Sequence, residues 1–454
     1  MRRILLLLAA APAGCARIEV PAEVAPIATA VAARYSVRTD LMAIGDLGAP
    51  PKWNAPGVPP LRGVRLGGQS PDPEFVKQLK PKVGKAILDP QADLTAAQKA
   101  DLARLLDATF GSPAAPTVRA ASAGDAAKIK LDEQFTEGRP AGKTAKEATA
   151  DAVAEAAAAA AALGLDTAAL ARGGLLYRRW CAECHGPTGA GDGIHAVFAG
   201  PMPRDYRRGV FKFVTAFPPG VARKGELGKP RKDDLCRTIR DGLPGSMMPA
   251  FAHLTAAEVD DLASYVIHLS VRGEAEFDWI AKVIQITKDP GETDPDYSAA
   301  LGEQILAQRV LIALGNWGRA DANVIPVPPE NTPAQADRLA SAARGFRLFA
   351  GTCASCHQDY GRTQQLKFDV WGTVVQPRNL TLGVYRGGRR GEDLYARVYA
   401  GIYASTMPDS KAKAGPMESD RPDGVWDVVH FLQALADPRE RMLLQQFDAG
   451  VKLD

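Results

Sequence analysis

Two short stretches carry residues able to do chemistry together. Trp180-Cys181-Ala182-Glu183-Cys184-His185 is the first, and Thr352-Cys353-Ala354-Ser355-Cys356-His357 is the second. Both read C-x-x-C-H, the attachment signal for a c-type haem. Two thiols at this spacing can each form a thioether to one edge of a porphyrin. The adjacent His185 or His357 then points a ring nitrogen at the iron. Haem iron takes a sixth ligand, and Met opposite His is the pairing that raises the reduction potential. The same Cys spacing also occurs in zinc half-sites and thiol redox pairs. Zinc wants four ligands per site, and a dithiol pair leaves the His and the duplication unexplained.

The duplication extends well beyond the motifs. Arg172-Gly173 and Arg344-Gly345 stand at the same distance before Cys181 and Cys353. Tyr177 matches Phe349. Pro203-Arg204-Asp205-Tyr206, followed by Gly209-Val210-Phe211-Lys212, matches Pro377-Arg378-Asn379-Leu380, followed by Gly383-Val384-Tyr385-Arg386. Asp234-Leu235 matches Asp393-Leu394, and Gly242-Leu243 matches Gly401-Ile402. An ordered internal repeat argues for two copies of one domain. It also picks the sixth ligands: Met248 aligns with Met407, and each precedes Pro. Met247 aligns with Thr406 and is the weaker candidate. His195, His253, His268 and His430 compete as alternatives. A packing role is the alternative for either Met, since Met often fills gaps in cores, and the matched placement favours ligation.

An aromatic helix into C-x-x-C-H, a mid-domain Pro loop, a Met-Pro loop and a closing aromatic helix occur in both halves. In this the chain resembles class I c-type cytochromes in tandem, dihaem form, over less than half of its length. The resemblance implies an all-α fold: two cytochrome c domains, a helical connector and an irregular N-terminal extension. It implies two haem c groups, with covalent bonds from Cys181, Cys184, Cys353 and Cys356 and axial ligands His185, Met248, His357 and Met407. It also implies that a backbone carbonyl at Pro203 or a neighbour, and at Pro377, accepts a hydrogen bond from the proximal His. Arg204, Arg207, Arg208, Arg378 and Arg386 either pair with haem propionates, whose geometry suits guanidinium, or form a solvated basic face. Gln358-Asp359 departs from the commoner Gly-Pro that follows the first motif, so the turn after His357 is expected to differ.

The surrounding elements divide as follows. Arg2-Arg3, the apolar run Ile4 to Ala11 and Pro12-Ala13-Gly14 read as a signal peptide over 1–14, too short an apolar run to span a bilayer. Cys15 then stands where a bacterial lipoprotein carries its lipid, although Pro12 is not the Leu such signals usually have. Cleavage near Ala11 or Ala13 without a lipid, or an uncleaved anchor, are the alternatives. Residues 15–171 form an extension, Pro- and Gly-rich with one helix that begins in Asp93-Leu94-Thr95-Ala96-Ala97-Gln98 and ends at Gly111, then Ala-rich from Ala145 to Ala171. The Ala-rich run is a spacer or a helix packed on the first unit. The first cytochrome unit covers 172–272, a connector with separate helices 273–339, the second unit 340–438 and a tail 439–454. Cys236 is left over and reads as a buried small apolar residue. The formal net charge of +3 has no basic run behind it, which argues against nucleic acid.

The expected function is electron transfer with no catalytic residue. The resemblance points to membrane-anchored bacterial dihaem cytochromes. Such a protein works between a quinol-oxidising complex and a terminal oxidase or soluble cytochrome, on the periplasmic side. A dihaem peroxidase-like enzyme and a fixed haem subunit of a larger respiratory complex are the rival readings.

Overall fold

Local signals place the first helices. Thr95 and Gln98 form a reciprocal capping box, so α1 runs Ala96–Phe110 and ends at Gly111, whose φ of 69° suits a residue without Cβ. A computed structural model describes residues 94–119, 129, 144–191, 193–199, 201, 203–216, 229–288, 296–330, 335–363, 367–368, 374–402, 405, 407–408 and 424–453. The signal segment, Cys15 and most of the Pro-rich extension lie outside the described residues.

The Ala-rich run is two helices. Helix α2 spans Ala145–Ala162 behind a Thr144–Glu147 capping box. Gly164, at φ 68°, turns the chain, and the Asp166 side chain accepts from the amides of Ala168 and Ala169 to start α3, Thr167–Trp180. A one-turn helix, α4, Ala182–His185, holds the first motif. Helices α5 (Lys232–Asp241), α6 (Ala256–Lys288) and α7 (Ala299–Gly318) follow. The second unit has α8 (Gln335–Thr352), α9 (Gly391–Ala400), α10 (Gly424–Ala436) and α11 (Pro438–Phe447). The strands described are two antiparallel pairs of two residues each, Gly111–Ser112 with Ala115–Pro116 and Lys367–Phe368 with Val374–Val375.

One expectation changes and one alternative is decided. Helix α6 is 33 residues long and runs straight through residue 272, so the connector does not begin with a separate helix. Nothing near 272 breaks a helix except Gly273, and Gly273 lies against Arg207, where an added Cβ would sit 2.4 Å from the Arg207 Cβ. Of the two readings of the Ala-rich run, packing holds: α2 lies on α7, with Ala159 against Gly318 and Glu155 paired to Arg319 at 2.5 Å.

Two hydrophobic cores result. The first joins α1, α2, α3, α6 and α7 through Phe110, Leu170, Tyr177, Leu262, Trp279 and Trp317, all fully buried. The second joins α8, α10 and α11 and includes Val451 and Leu453 of the tail. Each such side chain contributes roughly 1.5–3 kcal/mol by leaving water. In both units one crossing sets the frame. An added Cβ at Gly173 would lie 2.1 Å from the Asp261 carbonyl oxygen, and at Gly345 1.9 Å from that of Asp427. Beside each glycine an arginine grips the same aspartate with two hydrogen bonds: Arg172 on Asp261 at 2.7 and 2.9 Å, Arg344 on Asp427 at 2.9 and 2.7 Å. Helix–helix contact this close needs a residue without a side chain.

Candidate haem sites

Helix α3 delivers Cys181 at its C-terminal end. The Cys181 amide donates to Tyr177 O at 2.8 Å and the His185 amide to Cys181 O at 2.8 Å. The second unit repeats this, with Cys353 N to Phe349 O at 2.8 Å and His357 N to Cys353 O at 2.9 Å. One helical turn therefore puts two thiols and an imidazole on a shared surface.

His185 lies against Tyr206, ring centroids 4.6 Å apart and planes 24° from parallel. Its Nδ1 is 3.2 Å from the carbonyl oxygen of Arg204. A carbonyl can only accept, so Nδ1 carries the proton and Nε2 keeps its lone pair. Burial, partly offset by the bond to Arg204, lowers the imidazole to about 4, so the ring is neutral across ordinary pH. Burial also raises the Cys181 thiol to about 12 and raises Cys184. Such thiols are poor redox nucleophiles, which counts against the dithiol reading.

The accepting carbonyl is therefore that of Arg204, the neighbour of Pro203. Two glycines explain how the loop comes close: an added Cβ at Gly191 would meet Pro203 O at 2.6 Å, and at Gly361 would meet Arg378 O at 1.8 Å. The loops themselves match. The amide of Arg207 donates to the Asp205 side chain at 3.0 Å, that of Thr381 to Asn379 at 3.1 Å, and Gly209 and Gly383 close the turns at φ 62° and 63°. The Arg207 guanidinium is ion-paired within its own loop. It is buried and held by Asp205 through Nε and a terminal nitrogen at 3.0 and 3.1 Å. The side chain of Arg208 lies outside the described residues.

Both Met loops have one design. Leu243 N donates to Met248 O and Ile402 N to Met407 O, each at 3.1 Å; Met248 N and Met407 N donate to the Oγ atoms of Ser246 and Ser405 at 3.2 and 3.1 Å. Met248 is half-buried, whereas Met247 is 58% exposed. The competing histidines are engaged elsewhere. His195 is 3.1 Å from Glu183. His253 is exposed and meets the Trp180 ring at 5.1 Å. His268 lies buried between Phe110 and Tyr265. His430 meets Ser341 Oγ at 2.7 Å and Glu330 at 3.0 Å, using both ring nitrogens.

In the second unit one cavity gathers the residues picked out by spacing. Cys353, Cys356 and His357 line it together with Met407 and Pro377. Its empty volume is about 1450 Å³, open mouth included. Phe349, Leu394, Val398 and Leu432 make apolar walls, and Arg378, Arg386 and Arg397 also line it. The Nε atoms of Arg378 and Arg386 are buried with no hydrogen-bond partner among the described residues. Burial, then the Arg378 charge, lowers Arg386 to about 10. Two thiols, an imidazole and a thioether sulfur in the lining, apolar walls and unsatisfied guanidinium nitrogens fit a dianionic haem c. The departure after His357 is visible: Asp359 and Tyr360 adopt φ 49° and 55°, and Tyr360 stacks on Phe349 at 5.9 Å.

Sequence reasoning missed Asp261 and Asp427, although each closing helix carries an Asp that an alignment of the two halves brings opposite the other. It also missed Lys212 and Phe213, which line the second cavity from the first unit.

Residues 168–266 match the family model described as cytochrome c oxidase, cbb3-type, subunit III, and residues 342–436 that described as cytochrome c. The protein is a mostly helical chain with two cytochrome c domains, which imply haem c and an electron-transfer role. A chain of the Kuenenia stuttgartiensis reducing HAO-like protein complex is 21% identical over 59% of this chain and 96% of that chain, with a TM-score of 0.38. No curated protein matches the chain.

Proposed function

We propose that Cys181 and Cys184 hold one haem c and Cys353 and Cys356 a second, ligated by His185 with Met248 and by His357 with Met407. The second cavity carries this reading, because it joins Cys353, Cys356, His357, Met407 and three arginines around one space. Bound haem supplies a one-electron couple. The chain's own part is to keep it six-coordinate, dry and charge-balanced. His185 offers Nε2 because Arg204 O holds Nδ1. The paired backbone bonds at Met248 and Met407 fix each ligand loop. Arg378 and Arg386, which line the cavity with buried Nε atoms, would pair with the propionates of the second haem. Two such loops support a carrier over a peroxidase-like enzyme, which needs a releasable ligand.

The donor in this reading is a quinol-oxidising respiratory complex, and the acceptor a terminal oxidase or soluble cytochrome. Cys15 carries lipid and anchors the exported protein on the periplasmic side; two or more acyl chains, at roughly 0.8 kcal/mol per buried CH₂, make such an anchor stable. A second reading, a fixed haem subunit of a larger complex, is supported by the match of the first unit to an oxidase subunit model. Haem quantification with a redox titration and CO addition tests the central claim. Two haems per chain, both low-spin and indifferent to CO, are expected. A single haem, or a CO-reactive iron in the native protein, refutes it. Cys15→Ser should release the protein from membranes, and retention there would refute the lipid anchor.

A further inference from the structure

The second cavity is not built by the second unit alone. Lys212 and Phe213, from the segment that follows the His185-contacting loop, form part of its lining. Phe213 lies against Gly387, where an added Cβ would come within 2.7 Å of the ring. Gly387 has φ 78°, so the turn after Arg386 closes over Phe213 in a conformation that suits glycine. The loop that carries Met248 reaches the same place. Gly245 O accepts from a terminal nitrogen of Arg386 at 3.1 Å and lies 3.5 Å from one of Arg378. Gly245 has φ 71°, a conformation that suits glycine, and an added Cβ there would sit 2.2 Å from the tip of the Arg378 side chain. An ion pair between Arg237 and Asp393 at 3.1 Å, mostly shielded from solvent, ties the two units beside it.

Resting on the proposed haem reading, we propose that the first unit completes the second haem pocket: Phe213 closes it to water, and the Gly245 carbonyl of the first Met loop positions Arg386 and Arg378. The two centres are thereby coupled through the protein. A change at the Met248 loop reaches the arginines beside the second haem without passing through either iron. Phe213 and Gly245 are positioning residues here, acting through the walls of the pocket and not by ligation.

The test is Phe213→Ala in the full-length holoprotein, with Phe213→Tyr as the conservative variant. Haem content is counted first, and the two waves of a redox titration are assigned by their displacement in Met248→Ala and Met407→Ala. Admitting water stabilises the oxidised, more highly charged centre, so the second wave should move to lower potential. The first wave should stay in place, and Phe213→Tyr should restore the second. Selective loss of the second haem would support the proposal equally, since a self-sufficient second unit would keep it. Two haems with an unmoved second wave, or a change confined to the first centre, would overturn the proposal while leaving the dihaem reading intact. Fewer than two haems in the unaltered protein would instead overturn that reading.

Discussion

Gly345→Ala and Gly351→Ala make the same change in the same helix, α8, and should have opposite effects. At Gly345 the new Cβ would lie 1.9 Å from the Asp427 carbonyl oxygen, 2.4 Å from its carbon and 2.9 Å from the Val428 nitrogen. All three are backbone atoms of α10, so no side chain can swing aside. Reaching the 3.4 Å of an ordinary contact means parting the helices by about 1.5 Å. Overpacking of this kind costs about 1–3 kcal/mol, and the helix preference of Ala over Gly returns only about 1 kcal/mol. A backbone clash belongs at the upper end, so a net loss of about 2 kcal/mol is expected. At Gly351 nothing lies within 4 Å of the new atom. Only the helix preference then acts, and up to about 1 kcal/mol of stabilisation should appear. Urea melts of the holoprotein, followed by far-UV circular dichroism and by haem absorbance, read both. Movement of the parted helices should also perturb the second haem's spectrum in Gly345→Ala alone. Equal stability of Gly345→Ala and the parent, or equal loss in the two variants, would refute the claim that this crossing is held at backbone contact.

Asp427→Asn removes the charge that Arg344 grips and that Ser341 Oγ approaches at 2.5 Å; a loss of about 1.5–3 kcal/mol is expected by the same melts. Met407→Ala should open the second iron to CO and lower its potential while the first stays closed, and a CO difference spectrum of the reduced protein decides it. His268 has a buried ring, and burial followed by the Arg272 charge lowers it from 6.5 to about 3. Below pH 6.5 the unfolded chain therefore takes a proton that the folded chain refuses, and stability falls by roughly 1.4 kcal/mol per pH unit as pH drops toward 3. In His268→Phe, between the same Phe110 and Tyr265 rings, that part of the slope should vanish; melts at stepped pH that keep the full slope would show that another group carries it.

Much of the site was legible because its signals are short. C-x-x-C-H needs one helical turn, and the hydrogen bonds from Cys181 to Tyr177 and from Cys353 to Phe349 follow from that turn. Capping boxes at Thr95, Thr144 and Thr255, each spanning four residues, start helices by equally local means. Comparison of the two halves sharpened the ligand choice, and it is Met248 that is half-buried while Met247 faces solvent. Less legible was the fate of each arginine. Arg204, Arg207 and Arg378 look alike in a sequence, yet one presents its carbonyl to His185, one is taken up by Asp205, and one lines a cavity.

By itself the sequence determined the two thiol–imidazole turns, the Met loops and the all-α repeat, because covalent spacing, helix periodicity and caps act within a few residues. Only the tertiary structure decided that α6 runs unbroken past residue 272 and that α2 packs on α7. It alone decided that the first unit walls the second cavity. Gly245 meets Arg386 across 141 residues and Arg237 meets Asp393 across 156. Contacts over such separations depend on which surfaces are left facing each other once each core has packed, and no local window of sequence carries that information.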